Sequence, residues 1–368
     1  MKKKKVLIII AVTLAVLIVG GAVTAYSLLS HPLSCDIDTI ESIGSDVEIV
    51  SEGDDFVSVR KKSGGDFRVL MFTDLHLDEK IDTSNMTVTN LISNIQKEKP
   101  DLVLLGGDNI TSYFNKKRSA QLAMIFEKLG VYWAGVLGNH EGDNPLSVSR
   151  SKMIDIFSSY EHCLMRKGKS GVDGNGNYVL SILRSDSSIQ ESFFFMDTMD
   201  EMSKKQKKQY GIPVSESKYD GVKESQVCWY SETLESMKKE SGDFSSVVII
   251  HIPLPQYKTA AEKGNTFVYG DMRETICSSG FDSGLFSAIK KGGSTKAVFC
   301  GHDHVNNFGV MYDDILLSYI QPSGYGSYTA ASKLGYEEKD WLQGYTALTV
   351  HDNGSLTQTQ YRNSENIK

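Results

Sequence analysis

The sequence predicts an α/β protein, a largely parallel sheet with helices packed on it. From Arg68 to Cys300, apolar runs of strand length alternate with longer segments of helical spacing. That order lays helices over a sheet. With 368 residues, 40% hydrophobic and 23% charged, the chain can bury the core such a sheet needs. Several of the strand-like runs also end on Asp, Asn or His beside glycine, a position where loops carry chemistry.

The N-terminus is different in kind. Lys2 to Lys5 precede an apolar run from Val6 to Leu29 that holds no Asp, Glu, Lys or Arg. About 20 such residues span a bilayer. Residues 1–5 therefore read as a cytoplasmic basic tail and 6–29 as a transmembrane helix, single-pass in the cell membrane with the remainder extracellular. The alternative is a signal peptide cleaved near Val23-Thr24-Ala25, with the mature chain secreted. Residues 30–66 are polar and read as a stalk leading into a first strand or hairpin, and 67–368 as one folded domain without internal repeats.

The domain then follows element by element. Val69–Thr73 is a short strand closed by Asp74-Leu75-His76. Ser84 caps a helix to Lys97, which Pro100 ends. Asp101–Leu105 is a second strand, a helix over 116–129 buries residues 122, 125, 126 and 129, and Val131–Leu137 is a third strand. After the turn cluster Asp173–Asn177 come strands at 178–183 and 192–196, a lysine-rich excursion over 200–222 and a helix over 224–239. Ser246–Ile250 and Ala297–Cys300 are buried strands, and runs near 308–320 and 345–351 read as antiparallel.

Charge and cysteine content narrow the function. Of 39 basic residues four lie in the N-terminal cluster, leaving 35 against 46 acidic ones. That balance argues against nucleic acid as a partner. Five cysteines at 35, 163, 228, 277 and 300 have neither a disulfide-framework nor a zinc-knuckle spacing, and Cys300 reads as a buried thiol.

Five pieces carry the chemistry: Asp74-Leu75-His76, Gly107-Asp108-Asn109, Gly138-Asn139-His140-Glu141, His251-Ile252-Pro253 and Gly301-His302-Asp303-His304. Asp74 and His76, two apart on an extended segment, would point to one side. Asp108 follows two glycines and offers a carboxylate able to bridge two cations. Asn139 offers a neutral amide oxygen, and His251, His302 and His304 offer imidazoles. Mixed N/O donors suit Mn, Fe, Zn or Co rather than Ca or Mg. Each piece alone is an ordinary strand end or turn; the ordered set is not. Tyr257, Tyr269, Tyr325 and Tyr328 read first as packing residues and Lys204–Lys208 as a solvated face. Nothing in the sequence places Arg273 near the five pieces.

Over about 68–310 these motifs resemble the calcineurin-like metallophosphoesterases. His251–Tyr257, Gly176-Asn177-Tyr178, Ser225–Trp229 and Gly324-Tyr325-Gly326 extend the likeness to a purple-acid-phosphatase-like subgroup. That subgroup is typified by the eukaryotic phosphatases of dosage-dependent cell-cycle regulation. The resemblance implies a metallophosphoesterase-type β-sandwich of two mixed sheets flanked by helices, with 67–368 as the catalytic domain. It also implies two divalent transition-metal ions (Mn, Fe or Zn). Asp74, His76, Asp108 and His304 would hold the first, and Asp108, Asn139, His251 and His302 the second. His140 would be the catalytic residue beside the leaving group. His76, and Thr111 where purple acid phosphatases place their iron-ligating tyrosine, imply no purple centre. Glu141 replaces the commoner Asp.

Such a pair would share a hydroxide for in-line attack on phosphorus while its charge stabilises the phosphoryl oxygens. The function expected is thus metal-dependent hydrolysis of a phosphate-ester substrate, a phosphomonoesterase by subgroup. A phosphodiesterase acting on nucleotides or cyclic nucleotides, and a catalytically silent metal- or phosphate-binding surface protein, are the alternatives.

Overall fold

The structure, a computed structural model, describes residues 11–21, 33, 37–213, 219–264, 267–335, 337 and 342–363. Most of the predicted membrane span 6–29 lies outside them; its residues 11–21 are helical and exposed. Among the described residues no helix is long and apolar enough to cross a membrane.

The chain opens on the hairpin β1 (Val47–Glu52) and β2 (Phe56–Lys61), followed by β3 (Phe67–Phe72) and helix α1 (Ile81–Glu98). Next come β4 (Leu102–Leu105), α2 (Asn115–Leu129), β5 (Tyr132–Gly135) and α3 (Arg150–Phe157). β6 (Tyr178–Leu183) and β7 (Ile189–Phe195) precede α4 (Lys204–Gln209), α5 (Glu224–Ser241) and β8 (Ser246–Ile249). Then follow α6 (Pro255–Glu262), β9 (Phe267–Tyr269), α7 (Leu285–Gly292) and β10 (Thr295–Cys300). The chain closes with β11 (Gly309–Tyr312), β12 (Ile315–Tyr319), α8 (Ala330–Leu334), β13 (Gly344–Val350) and β14 (Leu356–Arg362).

The strands form two mixed sheets, one of five in the order β14-β13-β3-β4-β5 and one of nine in the order β1-β2-β6-β7-β8-β10-β12-β11-β9. β3, β4 and β5 run parallel, as do β7, β8, β10 and β12. The hairpin expected at the end of the stalk is built into the larger sheet, because β2 pairs with β6.

Side-chain alternation explains why two sheets stack. Phe193, Val247, Ala297 and Phe299 face the core shared with β3, β4 and β5, which α1 and α2 cover with Leu91, Ile95, Leu122 and Phe126. Their neighbours Phe194, Val248, Val298 and Cys300 face the opposite way, onto Tyr230 and Leu234 of α5 and Ile289 of α7. The parallel strands are therefore buried on both faces and read as continuous apolar runs.

Two local expectations are corrected. Ser84 is not an N-cap; the helix begins at Ile81, and the buried Ser84 hydroxyl accepts from the Asp78 N–H at 3.1 Å. The excursion 200–222 is not all solvated, for Lys207 of α4 is buried. Cys163, Cys228, Cys277 and Cys300 are free thiols, with Cys300 fully buried, while Cys35 lies outside the described residues.

Candidate metal centre

The loops that follow β3, β4, β5, β8 and β10 meet at one end of the sandwich. Donor atoms of Asp74, His76, Asp108 and His304 lie within 4.8 Å of one another, and so do those of Asp108, His251 and His302. Asp108 belongs to both groups. His76 and His251 bring Nε2 to 3.5 and 3.2 Å from its Oδ2, and His304 brings Nε2 to 3.3 Å from Asp74 Oδ1. All six side chains are buried.

Asn139 sits between Gly138 and His140, whose N–H donates to Asp108 Oδ1 at 2.9 Å. Gly138 permits that approach: a Cβ there would collide with the Asp108 carboxylate. Gly324 does the same for the first loop, where a Cβ would strike the Asp74 carbonyl.

The backbone at the ligand loops departs from the sequence expectation. Asp74 and His76 do not alternate along an extended segment; their φ angles are 55° and 46°. Asp108 at 50° and His302 at 79° are left-handed too. Each such L-residue costs roughly 1–2 kcal/mol. Left-handed kinks, not strand alternation, turn these side chains inward, and such strain concentrates at functional sites.

Several buried polar atoms of the cluster have no hydrogen-bond partner among the described residues: Asp108 Oδ2, both amide atoms of Asn139, His251 Nε2 and His302 Nδ1. Leaving a buried polar atom unpaired costs about 1–3 kcal/mol; the oxygens and imidazole nitrogens among these can offer electron pairs to cations, and that N/O donor set fits them. The outer nitrogens are already fixed. His251 Nδ1 donates to the Gly106 carbonyl at 2.8 Å and His304 Nδ1 lies 3.3 Å from the Tyr328 carbonyl, presenting each Nε2 inward. Burial, reinforced by facing imidazoles, lowers His76 and His302 to about 3, which keeps both neutral as donors. Burial opposes ionisation of Asp74, but the facing His304 outweighs it and holds the carboxyl down at about 2.

His140 is half-buried at the rim, and its Nδ1 is engaged by Asp143. Burial favours its neutral form, but the Asp108 and Asp143 carboxylates outweigh that and raise its pKa. The rim opens on a cleft of about 590 Å³ lined by His76, Lys80, Thr111, His140, Asp143 and Tyr328 among others. A larger cavity of about 660 Å³ lies over β2, β6, β7 and α5, but no histidine lines it and it is remote from this chemistry.

Glu141 and Tyr328, named in the sequence without a role at the site, and Asp143, which escaped the sequence reading, support the cluster. Glu141 is no donor to the cluster; it accepts from the Asn109 N–H at 2.8 Å and the Gly138 N–H at 2.9 Å, tying two loops together. Tyr328 stacks on His304 with centroids 4.3 Å apart, and its hydroxyl donates to Glu274 at 3.0 Å. Asp143 stands three residues past His140, a spacing that could have revealed it. Arg273 is held by Asp271 and Asn307, and the Tyr257 hydroxyl donates to the Val298 carbonyl at 2.6 Å as a packing residue.

Residues 67–306 match the calcineurin-like phosphoesterase family. The chain is 28% identical over 304 residues to "Probable inactive purple acid phosphatase 14" of Arabidopsis thaliana, covering 73% of each chain. It is 27% identical to "Probable inactive purple acid phosphatase 29" of the same plant, over 76% of this chain and 77% of that one. "Phosphatase DCR2" of Saccharomyces cerevisiae is 28% identical over 66% of this chain and 45% of its own. Among solved structures, a dimetal phosphatase from Danio rerio aligns with 80% of this chain and 99% of its own, at 15% identity and a TM-score of 0.46. With its candidate dinuclear metal ligands in place, the chain belongs to the calcineurin-like phosphoesterase family and is a hydrolase acting on phosphate-ester bonds.

Proposed function

We propose that this chain is a phosphomonoesterase with two divalent metal ions, anchored to the cell membrane by residues 6–29 with its catalytic domain outside. The observation that carries the catalytic reading is the pair of donor groups sharing Asp108, with its buried atoms unpaired. Asp74, His76, Asp108 and His304 would hold one ion, and Asp108, Asn139, His251 and His302 the other. When bound, the ions supply Lewis-acid charge to the phosphoryl oxygens and an acidified water as nucleophile.

The chain's own residues do the rest. Asp143 takes His140 Nδ1, which leaves Nε2 as the nitrogen available to the leaving oxygen, where a proton stabilises the departing alkoxide. Lys80 adds a positive charge to the cleft wall and favours anionic substrates. Monoester preference draws on the relatives named as phosphatases. The plant relatives are named inactive; in this chain Asp74, His76, Asp108, Asn139, His251, His302, His304 and His140 are all present.

The full-length chain, assayed with Mn2+ on p-nitrophenyl phosphate and on its bis-ester, tests the reading. Faster monoester hydrolysis supports it, and a diester preference overturns it. Alkaline carbonate extraction of membranes tests the anchor: the chain stays in the pellet if 6–29 spans the bilayer, and release into the supernatant overturns that part.

A further inference from the structure

Asn177 and Gln226 of the subgroup motifs belong to neither donor group, yet both side chains are buried, and their hydrogen bonds lead to the candidate metal centre. Gln226 Nε2 donates to Asn177 Oδ1 at 2.6 Å and to the Asp197 carbonyl at 2.8 Å, and the Asp197 N–H donates to Asn177 Oδ1 at 3.1 Å. These bonds fix the loop that leaves β7. From that loop the Asp197 carboxylate pairs with Arg150, whose guanidinium also donates to the Gly138 carbonyl, next to Asn139. The Thr198 hydroxyl accepts from the Ile252 N–H at 3.0 Å, next to His251. Farther on, the Tyr219 ring packs edge-on against His302 at 4.3 Å.

Asp197, acting through Arg150, and Thr198 thus reach the loops that carry Asn139 and His251, and Tyr219 packs on the remaining donor, His302. Asp74, His76 and His304 are held by Thr73, by the Gly107 and Asp108 carbonyls and by Tyr328. Among the described residues, their one hydrogen bond to the second group's loops outside Asp108 comes from the His302 N–H, which donates to the Asp74 carboxylate at 3.1 Å. We infer that the loop after β7, locked by Asn177 and Gln226, positions the donors of the second metal ion alone, with Arg150 and Thr198 as its two grips. Resting on the two-metal reading proposed above, this makes the affinities of the two ions separately adjustable. Neighbours that orient donors without binding typically contribute about 10- to 100-fold in metal affinity.

The test titrates the metal-free full-length chain with Mn2+ alone, reading free and bound ion by electron paramagnetic resonance. The parent chain is expected to take up two ions in two steps. Thr198→Val and Arg150→Lys should each weaken one step by about 10- to 100-fold and leave a mononuclear Mn2+ spectrum, while Thr198→Ser keeps both steps. Thr198→Val should add nothing to Asn139→Ala but weaken the remaining step of His76→Ala by the same factor, about 10- to 100-fold, since only sites that share a partner couple. Equal weakening of both steps, or of neither, in a two-step parent overturns this inference alone. A parent chain that takes up no Mn2+ overturns the two-metal reading and this inference with it.

Discussion

The backbone N–H of His140 donates to Oδ1 of Asp108 at 2.9 Å. One carboxylate oxygen is thereby spent on holding the acid–base loop, and the other, Oδ2, faces His76 and His251. The carboxylate common to both donor groups also fixes the residue proposed to meet the leaving group.

Asp108→Asn should therefore disturb both ions at once. Its expected signature is loss of bound metal from both sites and at least about a 100-fold fall in kcat/KM, beyond what a non-ligating neighbour would cost. Elemental analysis after desalting, alongside the assay, decides. Two ions and full activity in this variant would show that Asp108 bridges nothing.

His140→Ala should separate chemistry from binding. Turnover is expected to fall by about 10²- to 10⁴-fold, the usual contribution of a positioned acid or base, with two ions still bound. A variant that loses its metals would reassign His140 as a ligand.

Glu141→Ala removes no donor atom from the cluster but leaves the Asn109 and Gly138 N–H groups without their acceptor. Each buried N–H left unpaired costs about 1–3 kcal/mol. Burial and then the nearby Asp108 carboxylate raise Glu141 to about 8, so near neutral pH the side chain is uncharged and its removal relieves no charge repulsion. Urea unfolding of the metal-free protein should show a lower midpoint than the parent. Equal midpoints would mean that Glu141 does not brace the loops.

The clustering of Asp74, Asp108, His251 and His302 was legible because each follows a buried strand, whose continuous apolar run announces itself. The bracing was not. Arg150 reaches Asp197 across 47 residues of sequence, and neither residue sits in a periodic pattern. The left-handed backbone at Asp74 and His76 was equally hidden, since Asp-Leu-His has no glycine to signal it. Helices α6 and α7, eight residues each, are too short for periodicity to stand out.

Stability should depend on pH through Glu191, a buried carboxyl on β7 whose Oε1 accepts from the Ser192 N–H at 3.0 Å. Burial raises its pKa from 4.5 to about 8. Between those values the folded state keeps a proton that the unfolded state has released. Its contribution is thus complete below about 4.5 and is lost as pH rises towards 8. The limiting slope is about 1.4 kcal/mol per pH unit. Glu191→Gln should remove this term, so the variant gains on the parent as pH rises from about 4.5 towards 8 and by no more above it. Parallel unfolding profiles for the two proteins would count against the assignment.

The four left-handed residues set a conflict between what the chain prefers and what the pocket requires. Glycine at Asp74, His76, Asp108 or His302 would relax the backbone, yet each replacement deletes a donor. Selection for robustness and selection for turnover therefore pull against each other at four φ angles. Variants chosen for heat resistance alone would tend to erode the pocket at these positions first.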